Sequence, residues 1–556
     1  MTSEPPAQTP DPATTGQLAG AVRTVSGLTL ASRLLGLVRD LITARLFLDT
    51  PIGSALAAAF ALPNLFRRLF GEGALSAAFI PEYASAQQAD AGHAGTEAAG
   101  IEGEDTSQAN AIARFTLRLT IIITAALTLL GEAVLITLLL TLPADDNRDF
   151  SLALMAVMLP FMPLVCIAAV LGGILQSHNR FAPTAAAPIV LNLCIIAAAL
   201  PALLITNITP RTAAYAVAIA TLLAGAIQVA WALRALRGQI AWRAASVDVS
   251  ARARRMLRRF FPAVIGLGTL QLNAFLDTVI AMYPVWVGPT ILGREYPLTE
   301  SSNAVLFFAQ RLYQFPLGVF GIAVATAVFP LLARAATNRS DPTDFTRTLA
   351  RGLRLSLFIG LPASVGLALV APDLVAVLYG GGDRAFSQDG LTAATAVLIA
   401  YAGAVWAYSL NQVLTRAFYA LGDTRTPTTI AVGMVALNLA LNLTLIWPLA
   451  EAGLAASTAV SATLQTLILT IVLRRRLGTW PIDRAGIQSV AKVIALTAVM
   501  AAVVFGIQTL LGPRTSWSEH AIALVATVVA GAAMVGVAAI VLRVPELRWL
   551  LARSAR

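Results

Sequence analysis

Fourteen apolar stretches, each of about 20 residues or more, dominate this chain and restrict what it can fold into. A hydrocarbon bilayer holds no water for backbone N–H and C=O groups, so a stretch of this length crosses it as an α-helix. Of the 556 residues, 57% are hydrophobic and only 12% are charged, which excludes an ordinary soluble domain. The sequence predicts an all-α polytopic membrane protein with transmembrane helices near residues 25–48, 54–82, 111–142, 150–177, 184–206, 212–236, 258–284, 303–334, 345–378, 388–420, 427–449, 452–475, 487–511 and 520–543.

Arginine-rich connections predict the orientation of these helices. The sixth connection contains RALRGQIAWRAASVDVSARARRMLRRF, and the eighth and twelfth are also rich in Arg, which places them in the cytoplasm by the positive-inside rule. An even number of helices then puts both termini in the cytoplasm, with residues 1–22 as a disordered tail. The net charge of +10 is explained by this topology, so we expect no nucleic-acid partner.

Two segments resemble each other and predict an internal repeat. SHNRFAPTAAAPIVLNLCII and LGDTRTPTTIAVGMVALNLAL each pass from a polar turn through Arg and Pro to Leu-Asn-Leu. Asn192 and Asn438 lie 246 positions apart, and Asp40 and Asp277 lie 237 apart. Two lobes of six helices follow, residues 23–240 and 241–480, with a binding site at their interface and residues 481–556 outside the repeat. The alternative is chance similarity between apolar helices.

Several arginines lie within or at the ends of predicted spans, where each costs roughly 2.5 to 3.5 kcal/mol on insertion scales. A water-filled cationic cavity is one explanation, and the planar guanidinium is suited to phosphate oxygens. The other is snorkelling to an interface or an ion pair with Asp40 or Glu72, which we prefer for Arg45, Arg114 and Arg334. The predicted substrate-binding arginines are Arg33, Arg39, Arg67, Arg68 and Arg311.

A second polar set combines one carboxylate with amide and hydroxyl groups: Asp277, Asn438, Asn442 and Thr458. Such oxygens suit a hard cation such as Na⁺. Hydrogen bonding between helices explains the same residues equally well or better.

Intrinsic ATP hydrolysis and covalent catalysis are not predicted. The only Lys among 39 basic residues is Lys492, in SVAKVIAL, so no phosphate-binding loop of the form GxxxxGK[ST] exists. No pair of nucleophile and base is recognisable. The sequence therefore predicts a transporter rather than an enzyme.

With SRLLGLVRDLITARLF, FALPNLFRRLFGEGALSAAFIPEY, LQSHNRFAPTAAAPIVLN and QRLYQFPLGVFGIAVATAVFPLL, the chain resembles the bacterial lipid II flippases (MurJ/MviN family) of the multidrug/oligosaccharidyl-lipid/polysaccharide exporter superfamily. The resemblance implies two six-helix lobes around a central cationic cavity and a C-terminal helix pair forming a groove for a polyprenyl tail. It also implies a monomer in the bacterial cytoplasmic membrane whose partners are lipid II, membrane lipids and cell-wall synthesis proteins.

The family's cavity arginines match Arg33, Arg39, Arg67 and Arg311, with Arg68 adjacent and Asp40 and Glu72 in gating or ion-pair positions. The resemblance implies no cofactor other than Na⁺ as a coupling ion, in a site matching Asp277, Asn438, Asn442, Thr458 and the backbone carbonyl of Leu454. Some members have an acid at the positions of Asn442 and Ser54, and Asp-Arg where Gln310-Arg311 stands, so the chain departs from the family there.

The mechanism that follows is alternating access, in which the arginines capture a diphosphate-sugar-peptide headgroup and rocking of the lobes exposes it outside. The main rival is an exporter of another polyprenyl-linked glycan or of an amphipathic drug. A membrane glycosyltransferase that uses the acids of PADDNRD is a more remote alternative, because no other catalytic group accompanies them.

Overall fold

The computed structural model describes residues 12–71, 74–94, 107–205, 207–240, 242, 248–337, 342–480 and 484–551. Contacts divide the chain into two compact units. The first unit comprises the residues up to Leu46 together with Ala59–Leu267, and the second comprises Phe47–Ala58 together with the chain from Gly268 onward. The lobe boundary predicted at 240/241 thus lies before α9, whereas the contact boundary lies within that helix.

Helices account for nearly all of the described residues of the first unit. They are α1 (Pro12–Phe47), α2 (Pro51–Gly71), whose start up to Ala58 belongs to the second unit, α3 (Ala74–Ala94), α4 (Gln108–Thr141), α5 (Asp146–Met158), α6 (Phe161–Ser177), α7 (Ala182–Leu204), α8 (Pro210–Ala235) and the first part of α9 (Ser250–Ala281). Side-chain oxygens of Ser107, Asp145 and Thr209 accept backbone N–H groups at the starts of α4, α5 and α8. Part of the core joins α3, α4, α6 and the start of α9 around Phe79, Ile112, Leu171 and Met256.

The second unit continues with α10 (Tyr283–Trp286), α11 (Ser302–Pro316), a π-helical turn (Leu317–Gly321), α12 (Ile322–Thr337), α13 (Pro342–Tyr379), α14 (Gln388–Ala402), α15 (Val405–Ala420), α16 (Arg425–Leu449), α17 (Glu451–Leu477), α18 (Arg484–Leu511), α19 (Trp517–Val541) and α20 (Pro545–Leu551). The C-terminal pair α18 and α19 packs on α13 around Phe358, Leu496 and Ala539. The buried Glu546 of α20 accepts hydrogen bonds from Arg354 and Ser489, each 2.6 Å long.

Several predicted elements differ in the structure. Helix α1 begins at Pro12, so residues 12–22 of the predicted tail are helical, while residues 1–11 lie outside the described chain. The predicted helix 150–177 is divided at Pro160, which supplies no backbone N–H, and 388–420 is divided at Gly403. Proline alone does not determine such a division, because α7 continues through Pro188 and Pro201. A small antiparallel hairpin pairs β1 (Thr290–Ile291) with β2 (Arg294–Glu295), so the described chain is not purely helical.

Ten helical segments among the described residues are long and apolar enough to cross a membrane: Gln108–Thr141, Asp146–Ser177, Ala182–Leu204, Pro210–Ala235, Thr343–Tyr379, Gln388–Ala420, Arg425–Leu449, Glu451–Leu477, Gly486–Leu511 and Trp517–Val541. Large apolar side chains stand exposed on them, such as Leu129, Leu140 and Val541 at 70%, 80% and 71%. Such surfaces are typical of contact with lipid. The other four predicted spans, near 25–48, 54–82, 258–284 and 303–334, are the ones that carry the candidate arginines and Asp277.

A tight turn holds α16 against α17. Ala450, between the two helices, has the left-handed φ of 47°, and a Cβ added at Gly453 would lie 2.3 Å from the carbonyl oxygen of Leu445. At the other end of the pair, the backbone N–H of Thr426, with Arg476 beside it, lowers the pKa of the Asp423 carboxyl. Both ends of the pair are therefore fixed, which sets the facing positions of the two helices.

Replacing Gly453 by Ala tests this close approach. The added methyl meets backbone atoms that cannot move aside, so Gly453→Ala should destabilise the protein by about 1–3 kcal/mol. The control is Gly433→Ala on α16, where nothing lies within 4 Å of the added Cβ and Ala should stabilise the helix by about 0.5–1 kcal/mol. Thermal unfolding of the purified proteins measures both, and equal melting temperatures would show that the turn is not tightly constrained.

Candidate functional site

An ion pair and an amide join α1 to α7 in the first unit. Asp40 Oδ1 accepts hydrogen bonds from Nη2 and Nε of Arg39, at 2.7 and 3.1 Å. The Nη1 of Arg39 donates to Asn192 Oδ1 at 2.9 Å, and Asn192 Nδ2 donates to the carbonyl oxygen of Ser32 at 3.0 Å. The predicted substrate ligand Arg39 is thus engaged with Asp40, which the sequence offered as an ion-pair partner.

The other predicted arginines of this unit lie on α1 and α2. Arg33 is exposed on α1, two turns before Asp40. Arg67 and Arg68 are half-buried on α2, and Nε and Nη2 of Arg67 donate to Asn64 Oδ1 at 3.1 and 2.9 Å. Pro63 within α2 removes one backbone donor just before this pair. Glu72, predicted as a gating or ion-pair residue, lies outside the described residues.

Arg311 belongs to the second unit and precedes an irregular part of the predicted helix 303–334. Its guanidinium lies 4.6 Å from the centre of the Phe307 ring. One and a half turns later, Pro316 ends α11 and the π-helical turn Leu317–Gly321 begins. Gly321 packs so closely on Ser409 that an added Cβ would lie 2.8 Å from its Oγ. Single π-helical turns of this kind are frequent at functional sites.

A polar site in the second unit brings together the residues predicted as a sodium site. Asn442 Nδ2 donates to Asp277 Oδ1 at 2.6 Å and to Asn438 Oδ1 at 3.2 Å. Asn438 Nδ2 lies 3.5 Å from Thr458 Oγ1, and this hydroxyl donates to the carbonyl oxygen of Leu454 at 3.2 Å. All five residues are buried, and the α16–α17 turn places the two asparagines opposite Thr458.

The buried carboxylate of this site differs from the other described buried carboxylates in the partner it is bonded to. Four carboxylate residues are buried among the described residues. Glu82 lies in a salt bridge with Arg255, Asp373 with Arg514, and Glu546 with Arg354. Asp277 is the fourth, and the hydrogen bond that the structure gives its carboxylate comes from the neutral amide of Asn442. The Oδ1 of Asn442 is also buried, and it has no hydrogen-bond partner in the described part of the chain.

Two residues that contact predicted arginines were not predicted as site residues. The sequence pointed to Asn192 only as part of the internal repeat, and it did not point to Asn64. The Leu-Asn-Leu pattern shared by Asn192 and Asn438 was a usable signal, because the same position supplies a polar ligand in both units. For Asn64, the sequence offered only its position three residues before Arg67, one helical turn away.

Comparison with known proteins gives a consistent picture. The family profile described as lipid II flippase MurJ matches residues 43–526. The chain is 32% identical to a probable lipid II flippase MurJ of Rhizobium tropici over 496 residues, covering 86% of this chain and 85% of that protein. It is 28% identical to the lipid II flippase MurJ of Burkholderia cenocepacia over 473 residues, covering 82% and 84%.

Solved structures show a similar fold. A lipid II flippase MurJ in an inward closed conformation aligns with a TM-score of 0.72 at 20% identity, covering 93% of this chain and 98% of that one. An inward-facing multidrug resistance transporter of the MATE family in the MOP superfamily aligns with a TM-score of 0.61 at 14% identity, covering 82% and 98%. At these identities the likeness concerns the fold alone.

The buried amide of Asn442 can be tested by removal. Asn442→Leu takes the observed donor from a buried carboxylate, so we expect a loss of about 1.5–3 kcal/mol in unfolding free energy. Thr444→Val is the matched control, because Thr444 is exposed on the same helix and bonds to carbonyls of its own helix. Its effect should stay within about 0.5 kcal/mol. Equal thermal stability of the two variants would contradict the importance of the Asp277 hydrogen bond.

Proposed function

The chain belongs to the lipid II flippase MurJ family, and we propose from this membership that it moves lipid II, an undecaprenyl-diphosphate-linked sugar-peptide, from the inner to the outer leaflet of the bacterial cytoplasmic membrane. The family match over residues 43–526 is the observation that carries the proposal. The ten apolar helices support a multi-pass membrane protein. The finer arrangement, with fourteen transmembrane helices, two six-helix lobes and a central cavity, both termini in the cytoplasm and a C-terminal pair for the lipid tail, is part of the same proposal.

Arginines supply the chemistry for the headgroup. A guanidinium binds phosphate oxygens through paired, charge-assisted hydrogen bonds, which suits a diphosphate. We assign this role to Arg33, Arg39, Arg67, Arg68 and Arg311, on α1, α2 and α11. Hydrogen bonds to Asp40 and Asn192 orient the guanidinium of Arg39. Alternating access moves the bound anion outward, which a membrane potential negative inside favours by about 2.3 kcal/mol per charge per 100 mV.

The site around Asp277 fits Na⁺ as a coupling ion. Among the residues that the structure describes, the buried Asp277 carboxylate has no cationic partner and Asn442 Oδ1 has no hydrogen-bond partner, and a bound cation would satisfy both. Asp277, Asn438, Asn442, Thr458 and the Leu454 carbonyl would hold it. The ion would supply the positive charge that the other three buried carboxylates obtain from arginines. The residues themselves fix the distance between α9, α16 and α17 through the observed hydrogen bonds.

Depletion and replacement test the flippase assignment. Cells depleted of this protein should lose lipid II from the outer leaflet, measured by its accessibility to an impermeant reagent, and the wild-type chain should restore it. Chains that carry Arg33→Ala or Arg311→Ala should not restore it. Each variant loses a charge-assisted contact, which should weaken headgroup affinity roughly 10- to 150-fold. Arg334→Ala is the control, since Arg334 is exposed near the end of α12 and should restore exposure fully.

Two outcomes would overturn these assignments. Unchanged lipid II exposure after depletion would refute the flippase assignment. Full restoration by both arginine variants, at normal abundance in the membrane, would return Arg33 and Arg311 to a structural role.

Sodium binding can be measured without transport. Replacing choline by Na⁺ at constant ionic strength should stabilise the purified protein by about 1.4 kcal/mol when the concentration reaches about ten times the dissociation constant. Asp277→Asn should abolish this response because the neutral amide cannot compensate the cation. Asp389→Asn, an exposed acid in the first turn of α14, should leave it unchanged. A sodium response that survives in Asp277→Asn would place the ion elsewhere.

A further inference from the structure

The connection between α9 and α11 folds into a short hairpin with a two-residue turn. Strands β1 and β2 pair in register, which leaves Leu292 and Gly293 between them. Below the strands, the backbone N–H of Tyr296 donates to the carbonyl oxygen of Pro289 at 2.8 Å. The turn is therefore held by backbone hydrogen bonds and is not an open loop.

Leu292 occupies a backbone conformation that leucine rarely adopts. Its φ is 49° and that of Gly293 is 76°, so both central residues of the turn have positive φ. Such turns favour Asn, Asp and Gly, because a Cβ in the left-handed region crowds the following carbonyl oxygen. The Leu292 side chain is 98% exposed, so packing within the chain does not compensate this cost. An unfavourable conformation that carries an exposed leucine points to a contact outside the chain.

Aromatic side chains fix the base of the hairpin to the ends of α9 and α16. The rings of Tyr283 and Tyr296 lie 4.5 Å apart, and the Tyr296 ring lies 6.5 Å from that of the exposed Trp447. The Tyr283 hydroxyl donates to the carbonyl oxygen of Thr290 at 3.1 Å. The Tyr296 hydroxyl donates to the carbonyl oxygen of Ile280, also at 3.1 Å. Trp and Tyr are enriched where a membrane meets water, so this aromatic group marks that level.

The turn lies close enough to this level to reach lipid. Leu292 precedes Tyr296 by four positions, and a strand rises about 3.3 Å per residue, so the leucine lies within about 13 Å of the aromatic group. The exposed Arg294 follows the turn, and its guanidinium suits the phosphate of a phospholipid headgroup. An apolar tip with an arginine beside it therefore matches the layer where phosphates border acyl chains.

We propose that this hairpin inserts Leu292 into the outer leaflet of the membrane, with Arg294 at the level of the phosphates. Only the choice of leaflet rests on the proposed function, because the topology given there places this connection outside. Burial of the leucine among acyl chains compensates the unfavourable turn through the hydrophobic effect. The inserted tip anchors the ends of α9 and α16, the helices that carry Asp277 and Asn442, at a fixed depth in the bilayer.

Fluorescence quenching in vesicles tests the insertion. The full chain carries Thr290→Cys, labelled with a nitrobenzoxadiazole fluorophore, together with Cys194→Ala, and the buried Cys166 stays in place. In vesicles of phosphatidylethanolamine and phosphatidylglycerol, a phospholipid with a nitroxide near its headgroup should quench the probe, and aqueous iodide should not. Leu292→Asn should lower the ratio of inserted to free hairpin at least about tenfold, as expected when the burial of one leucine side chain is lost.

Two further measurements separate insertion from folding. Glu295→Gln is the matched control, because Glu295 is exposed on the same hairpin, and it should leave the lipid quenching unchanged. Leu292→Asn should keep or raise the melting temperature of the purified protein, since Asn accepts a positive φ. Leu292→Gly, which also accepts it, should lose insertion in the same way and replaces the Asn variant if that one does not accumulate.

Equal lipid quenching of the native hairpin and of Leu292→Asn would overturn the proposal. Strong iodide quenching of the native hairpin would do so too, and would leave the tip as a surface for a soluble protein. A melting temperature that falls in both Leu292 variants would make the leucine a packing residue instead. None of these readouts requires lipid II, so a chain that fails to translocate it would refute the proposed function and leave the insertion standing.

Discussion

The cost of placing charge in a low-dielectric interior governs the polar sites of this protein. An unpaired buried carboxylate loses several kcal/mol of hydration, so a partner cation or a set of donors must accompany it. Arginines meet this requirement at Glu82, Asp373 and Glu546, and Arg39 meets it at Asp40. Asp277 instead accepts a hydrogen bond from the neutral amide of Asn442. The exception is informative because the same chain shows how it compensates buried acids elsewhere.

Helix geometry decides where these side chains can meet. Asn438 and Asn442 share one face of α16 because they are four residues apart, and the tight turn after Leu449 brings that face against Thr458 on α17. In the same unit, the π-helical turn Leu317–Gly321 displaces α12 from the axis of α11 just after Arg311. Regular helices therefore support the polar site around Asp277, for which we propose a cation, and an irregular one accompanies the arginine that we assign to the headgroup.

The sequence could predict the positions of the long helices because a bilayer-spanning helix needs a long apolar stretch, and it grouped Asp277 with Asn438, Asn442 and Thr458. It could not predict the divisions at Pro160 and Gly403 or the π-helical turn, since these depend on packing between neighbours. The link from Arg39 to Asn192 also escaped it, because a hydrogen bond across 153 positions depends on how α1 meets α7. The hairpin around Leu292 and Gly293 lies in a connection where the apolar pattern carries no signal.

Alternating access requires that some interaction change between states, and a ligand shifts such an equilibrium only if it binds the two states differently. An arginine stays charged at every accessible pH and cannot leave the protein, so it cannot report an ion gradient. A cation that exchanges with solvent can. The coupling ion that we propose would therefore act at Asp277, whose carboxylate accepts its observed hydrogen bond from the neutral amide of Asn442.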